Sequence, residues 1–161
     1  MLIGISGKIG SGKDTVANYL SNYHKFKKIS YGDIIKRAAF EYFRWDGKKD
    51  PRGRALLQVL GTVGRKYNTD IWVEQVKSQY NKNVNTVISD CRLLPEIEWI
   101  ANEGGILIRL IRNCREKSTH ITETELDDYP YFNFILKNNK TPQWLYDRLD
   151  EIVEGNKDGG K

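Results

Sequence analysis

Nine residues near the start of the chain carry its clearest chemistry. Gly7-Lys8-Ile9-Gly10-Ser11-Gly12-Lys13-Asp14-Thr15 satisfies the spacing G-x-x-x-x-G-K. Glycines at these places let successive backbone N–H groups turn inward toward anionic oxygens. A helix opening at Lys13 adds the partial positive charge of its N-terminus. Lys13 itself has the reach to neutralise the outer phosphates of a nucleotide. The residue after this lysine is Asp14, where a hydroxyl that ligates Mg²⁺ usually stands, and Thr15 comes one place later. Thr15 is therefore expected to hydrogen-bond a phosphate, with Mg²⁺ held mainly by nucleotide oxygens and waters. A glycine-rich turn can be purely structural, but here strand, loop, lysine and helix stand in register.

A second constellation is Ser89-Asp90-Cys91-Arg92, which closes the apolar run Val84–Ser89 (VNTVIS). In an open parallel sheet, ligands sit beyond the carboxyl ends of the strands. If this strand neighbours the first one, Asp90 lies beside the phosphate loop. Its carboxylate could then hold a Mg²⁺-bound water, and Arg92 could grip phosphoryl oxygens as a fork. Lys13, Asp90 and Arg92 are thus the catalytic candidates. Read blandly, Asp90 caps a turn and Arg92 pairs on the surface. Nothing marks Cys91 as a nucleophile, and His24 and His120 lack a partner at metal spacing, so no zinc site is expected.

These residues need elements to carry them. Met1–Ser6 (MLIGIS) reads as a buried parallel strand, and Val16, Ala17 and Leu20 recur at helical spacing after the loop. A short strand is expected around Phe26–Ile29 and a helix over Ile34–Trp45 with Asp33 as its cap. Asp50-Pro51 marks another helix start, and Leu56, Val59, Leu60 and Val63 suggest its buried face. Gly61 and Gly64 either weaken that helix or admit a close neighbour. Asp70 is expected to cap a helix that turns Trp72, Val73, Val76 and Tyr80 inward. After the Val84–Ser89 strand, Pro95 opens a helix with Ile97, Ile100 and Ala101 inward, which Gly104-Gly105 ends. Ile106–Ile111 and Tyr131–Leu136 read as further strands, and Thr141-Pro142 starts the last helix. Residues 113–128 lack periodicity and read as a polar excursion. Strands alternating with helices imply an α/β fold: three layers, a parallel sheet of about five strands and helices on both faces.

Composition narrows the class. The chain has 161 residues with four Trp, nine Tyr and five Phe, which excludes a disordered polymer. No uninterrupted apolar stretch is long enough to span a bilayer. Two cysteines, and no signal-type run at the start, point to a reduced cytosolic compartment. The formal net charge of +5 is unevenly spread: residues 25–66 carry +8, and residues 67–161 carry −4. This basic segment could be a nucleic-acid surface, a pocket for a small phosphate ester, or merely a solvated helix surface. Asn81-Lys82-Asn83-Val84 and Asn156-Lys157-Asp158-Gly159 are the nearest strings to a guanine signature, and neither fits it. What remains is a small kinase with a donor loop, a basic acceptor lobe and a lid.

The strings GKIGSGKDT, SYGDIIKRAAF, GRALLQVLGTVGRKYNTDIWV, VISDCR and STHITETELDDYPYFNFILKNN occur in that order. Over roughly Met1–Asn139 the chain resembles the bacteriophage-type deoxynucleoside monophosphate kinases. The GKD loop, SDCR and the late Asn-rich strand end are also similar to animal-type phosphomevalonate kinase, which shares the nucleoside monophosphate kinase fold. The resemblance implies a phosphate-loop NTPase fold in one domain over residues 1–161. The acceptor region would span about 31–80 and a short lid about 113–128. It implies that Gly7, Gly10, Ser11, Gly12, Lys13, Asp14 and Thr15 hold ATP with Mg²⁺, and that Asn138 lies near the donor adenine. Asp33, Lys36, Arg54, Gln58, Arg65 and Trp72 would face the acceptor, with Trp72 either stacking on a base or packing the core. Arg112, Arg115, Lys117 and Glu123 would belong to the lid.

The expected activity is transfer of the γ-phosphoryl group of ATP to a deoxynucleoside 5′-monophosphate, supplying DNA precursors. Phosphomevalonate is the alternative acceptor, and a nucleotide-gated nucleic-acid-binding protein is the reading without catalysis. The expected partner is the small-molecule substrate, with no stable nucleic-acid complex and no membrane, in the cytoplasm (of the host, if the gene is a phage's). Exposed aromatics such as Tyr42, Phe43 and Trp45 could serve a homodimer.

Overall fold

The structure is a computed structural model that describes residues 1–112 and 121–156. Two compact units divide the chain. One comprises Met1–Lys28 and the chain from Asn81 onward, and the other Ile29–Tyr80.

The first unit is organised by a five-stranded sheet. Its strands are β1 (Leu2–Gly7), β2 (Lys27–Ile29), β3 (Thr86–Cys91), β4 (Ile106–Ile111) and β5 (Phe134–Lys137), in the order β2-β3-β1-β4-β5. β1 runs parallel to both β3 and β4, and β4 runs parallel to β5. A central strand covered on both faces must be apolar throughout, which is why β1 shows no alternation of apolar and polar residues. Its side chains still alternate in direction. Ile3 and Ile5 join a core with Val16 and Leu20 of α1 (Lys13–His24). Leu145, Leu149, Ile152 and Val153 of a C-terminal helix (Pro142–Gly155) complete that layer. Gly4 points the other way, where a Cβ would meet Ile100 at 2.7 Å and Leu107 at 3.1 Å. Ile100 belongs to the helix Leu94–Asn102, which covers the second face. Three layers with helices on both sides follow, as expected. No helix among the described residues is long and apolar enough to cross a membrane.

Strand limits shift where pairing overrides local pattern. β3 begins at Thr86 and not at Val84, because the Val84 N–H turns back to the Asn81 carbonyl (2.9 Å). It continues to Cys91, which pairs with Ser6, so Asp90 lies within the strand. β5 starts at Phe134 and not at Tyr131. The Asn133 side chain accepts from the Leu107 N–H (2.7 Å) just before it, and Tyr131 is exposed. Ala101 is exposed as well, against the expectation that it faces inward.

The second unit is helical: α2 (Tyr31–Phe43), α3 (Pro51–Tyr67) and α4 (Ile71–Lys77). Numbered onward, α5 is Leu94–Asn102, α6 is Ile121–Thr124 and α7 is Pro142–Gly155. α2 begins earlier than its apolar spacing suggests, because the Ser30 hydroxyl accepts from the Asp33 N–H (3.2 Å) and so caps it in place of Asp33. Asp50 caps α3 by accepting from Gly53 N–H (2.7 Å), with Pro51 at its first turn. The buried face of α3 differs from its sequence pattern. Val59 and Val63 are each 57% exposed, whereas Gly53 and Gly61 are buried. Two tryptophans explain the exchange. The Trp72 ring lies against Gly64, where a Cβ would stand 2.5 Å from it, and its indole N–H donates to the Gly61 carbonyl (3.0 Å). Trp45 packs at Gly53, donates to the Lys48 carbonyl (3.1 Å) and stacks near Phe40. Trp45 is therefore buried, not exposed, while Tyr42 and Phe43 are exposed.

Candidate functional site

The phosphate loop hangs between the end of β1 and the start of α1. Gly12 adopts φ 101° and ends the loop, and the Val16 N–H then makes the first helical bond, to the Gly12 carbonyl (3.1 Å). A Cβ on Gly7, at φ 145°, would lie 2.5 Å from the Leu110 carbonyl, and one on Gly12 would lie 2.5 Å from Asn138 Nδ2. Only glycine fits either place. The Ser11 N–H closes the turn on the Lys8 carbonyl (3.1 Å). Lys13 is 9% exposed, and its ammonium donates to the carbonyls of Gly7 (2.5 Å) and Lys8 (2.9 Å). The Ser11 hydroxyl is buried with no hydrogen-bond partner.

A buried ammonium on the loop's own carbonyls, an unpaired hydroxyl and the first-turn amides of α1 form a donor set suited to an oligophosphate. The residues therefore fit a nucleotide's phosphates. Asp14 turns outward, its side chain 87% exposed and 3.2 Å from Lys28 Nζ, and Thr15 is exposed. Among the described residues, no three of His, Cys, Asp and Glu gather into a metal cluster.

Asp90 and Arg92 come to this loop through the sheet. Ser6 pairs with Cys91, so the end of β3 lies beside the residue that leads into Gly7. The turn that carries Arg92 is fixed by Glu96, which sequence reasoning missed. Glu96 is 6% exposed, and its Oε2 accepts from the N–H groups of Arg92 (2.6 Å) and Leu93 (3.1 Å). Its signal was legible: an acidic residue at the third position of a Pro-led helix reaches back to the cap. Cys91 is fully buried, and burial first, then Glu96 and Asp90, pushes its thiol well above its usual range. It packs against Gly4 and is chemically quiet.

Two more carboxylates tie the segment after α6 to this edge. Asp127 bridges Lys8 of the loop (2.7 Å) and Arg109 of β4 (2.7 Å), and Arg109 also lies over the Phe132 ring. Glu125 accepts from the Leu94 N–H at the start of α5 (2.7 Å). Of the expected lid residues, Arg112 is exposed just after β4 and Glu123 falls in α6, while Arg115 and Lys117 lie outside the described residues. Asn138 follows β5, and its carboxamide donates to the Ser11 carbonyl (2.9 Å).

The remaining candidates belong to the helical unit. Asp33 and Lys36 pair with each other on α2 (2.5 Å). Arg54, Gln58 and Arg65 follow one face of α3 at spacings of four and seven, with Gly61 between them. Arg54 Nε donates to the Lys49 carbonyl (2.9 Å), Gln58 is exposed, and the Arg65 guanidinium lies against Gly61. Trp72 spends its indole N–H on Gly61, as described above.

Comparison with known proteins bears on this arrangement. No protein-family model matches the chain. A protein of Acanthamoeba polyphaga mimivirus, named "Putative deoxynucleotide monophosphate kinase", is 30% identical over 96% of both chains. The chain belongs to the nucleoside monophosphate kinase-like family. Its membership makes it a phosphotransferase of the phosphate-loop type. The fold agrees. A shikimate kinase from Aquifex aeolicus superposes with a TM-score of 0.62 at 17% identity, covering 99% of this chain and all of the other. A dephospho-CoA kinase from Campylobacter jejuni gives 0.55 at 16% identity, covering 96% and 98%.

Proposed function

We propose that this kinase transfers the γ-phosphoryl group of ATP to a deoxynucleoside 5′-monophosphate, giving the diphosphate and ADP. One observation carries the donor half of this reading. A glycine loop with a buried lysine and an orphaned buried hydroxyl stands next to a strand that ends in Asp90 and Arg92. The 30% identity to the viral relative supports the acceptor half. Lys13, the loop amides and Ser11 would hold the donor phosphates, and Thr15 lies within the same first turn. Mg²⁺, when bound, would supply charge neutralisation at the phosphates; Asp90 is the carboxylate placed to meet it through water. Arg92 would neutralise charge on the transferred group. No covalent enzyme intermediate is required, since alignment and electrostatics suffice for this chemistry.

On the acceptor side, the Arg54, Gln58 and Arg65 face of α3 offers cations for a monophosphate and an amide for a base edge. Asp33 and Lys36 of α2 would join it. The basic excess of residues 25–66 suits an anionic acceptor. The host cytoplasm is the proposed compartment. A coupled ADP-release assay with a panel of deoxynucleoside monophosphates, and with phosphomevalonate beside dTMP and dGMP, tests the proposal. Turnover with at least one deoxynucleotide is expected. ATP binding without turnover of any of them would refute it, and turnover of phosphomevalonate alone would reassign the acceptor.

A further inference from the structure

Asn138 is held more firmly than a residue just past an edge strand needs to be. Its main-chain N–H donates to the Ile111 carbonyl (2.8 Å), which extends the β4–β5 pairing by one step. Its carboxamide Nδ2 donates to the Ser11 carbonyl (2.9 Å), and it sits where a side chain on Gly12 would begin, 2.5 Å from that ideal Cβ. The carboxamide therefore packs directly on the Ser11–Gly12 peptide of the phosphate loop, 127 residues away in sequence.

The consequence follows from peptide geometry. The peptide group is planar and trans, and the chain has no cis bond, so the Ser11 C=O and the Gly12 N–H point in opposite directions. Holding the carbonyl on Asn138 aims the N–H away from β5. It then joins the unpaired N–H groups of the first turn of α1 as a donor to anions. This control is needed because Gly12 is a glycine. Residue 12 takes φ 101°, which only glycine accepts without strain, yet glycine populates negative φ just as readily. The residue that permits the bend also permits the peptide to flip, and a flipped peptide would present a carbonyl to the phosphates. We infer that Asn138 is a positioning residue that fixes the Ser11–Gly12 peptide, and hence the Gly12 N–H, in its phosphate-binding orientation. The inference rests on the reading of the loop as an ATP phosphate site, and it differs from a contact with the adenine ring.

Isothermal titration without any acceptor separates these roles. Wild type, Asn138→Ala and Asn138→Asp are titrated with MgATP and with inorganic tripolyphosphate plus Mg²⁺. A positioning role predicts that N138A weakens both ligands by the same factor, about tenfold, the equivalent of one well-aligned hydrogen bond. N138D keeps the shape but, when ionised, cannot donate, so it should lose at least as much for both. It also keeps the question decidable if N138A does not fold. Unchanged tripolyphosphate affinity in the folded variants, with or without weaker ATP binding, would overturn the inference while leaving the proposed function standing. Wild-type protein that binds neither compound would overturn the loop reading and this inference with it.

Discussion

Glu96→Ala should separate the stability of the Arg92 turn from its chemistry. The Glu96 carboxylate is buried and accepts from two backbone N–H groups, Arg92 at 2.6 Å and Leu93 at 3.1 Å. Hydrogen bonds to a charged acceptor contribute about 1.5–3 kcal/mol each, but the alanine would admit some water to the exposed donors. A loss of about 3 kcal/mol is therefore expected, which for a chain of this size lowers the melting temperature by roughly 6–12 °C. Glu96→Gln retains an amide oxygen in the same place. Its bonds become neutral and about half as strong, so its loss should be near 1 kcal/mol, roughly 2–4 °C. Thermal melts followed by circular dichroism give both numbers. Because the Arg92 N–H is one of the two donors held, the alanine should also lower turnover about tenfold at a temperature where it remains folded, and the glutamine much less. An E96A protein that melts with wild type, or an E96Q protein as damaged as E96A, would refute the reasoning that Glu96 fixes this turn as an acceptor.

Lys13→Met should keep the fold but lower turnover by on the order of 10²–10³ in the coupled ADP assay, since it removes the one buried ammonium of the loop. Gly64→Ala places a Cβ 2.5 Å from the Trp72 ring; overpacking of this kind costs about 1–3 kcal/mol, and urea unfolding should show it. Tyr19 is pushed up to about 12, by burial first and then by its hydrogen bond to Asp150. The unfolded chain therefore gives up this proton first as pH rises, and the associated stability is present below about pH 10 and lost as pH climbs toward 12. Urea midpoints measured across that window should fall for wild type, and Tyr19→Phe should remove that part of the fall.

Chemistry that is local in sequence was legible; chemistry assembled across the sheet was not. The loop from Gly7 to Thr15 is contiguous, and its glycines and lysine announce a phosphate site because each residue type is required by the backbone it must adopt. Asp90 could be placed beside it only on the condition that its strand neighbours the first, and the pairing of Ser6 with Cys91 meets that condition. By contrast, Asp127 reaches Lys8 across 119 residues and Asn138 reaches Ser11 across 127. Neither position differs in type from the polar residues around it. Val59 and Val63 were misread for a different reason. Periodicity counts apolar side chains, but close approach of tryptophan to helix α3 needs the absence of side chains at Gly53, Gly61 and Gly64. The glycines, not the valines, mark the packed face.

The departure at Asp14 is intelligible as electrostatics. A carboxylate next to a phosphate site should repel the ligand, unless other charges offset it. Asp14 stands in the first turn of α1, where the helix dipole favours an anion. Its side chain points outward, and Lys28 of β2 lies 3.2 Å away, also donating to Asn18 at 3.0 Å. The pair is exposed, so its strength is modest and salt-sensitive. Its main effect is directional, drawing the negative charge toward β2. Asp127 has the same character at the other end of the loop, where it draws the Lys8 ammonium toward Arg109. Among the pairings described here, each flexible charge of the loop is drawn outward onto the scaffold. Lys13 alone is turned onto the loop's own carbonyls, the acceptors that an incoming phosphate can replace.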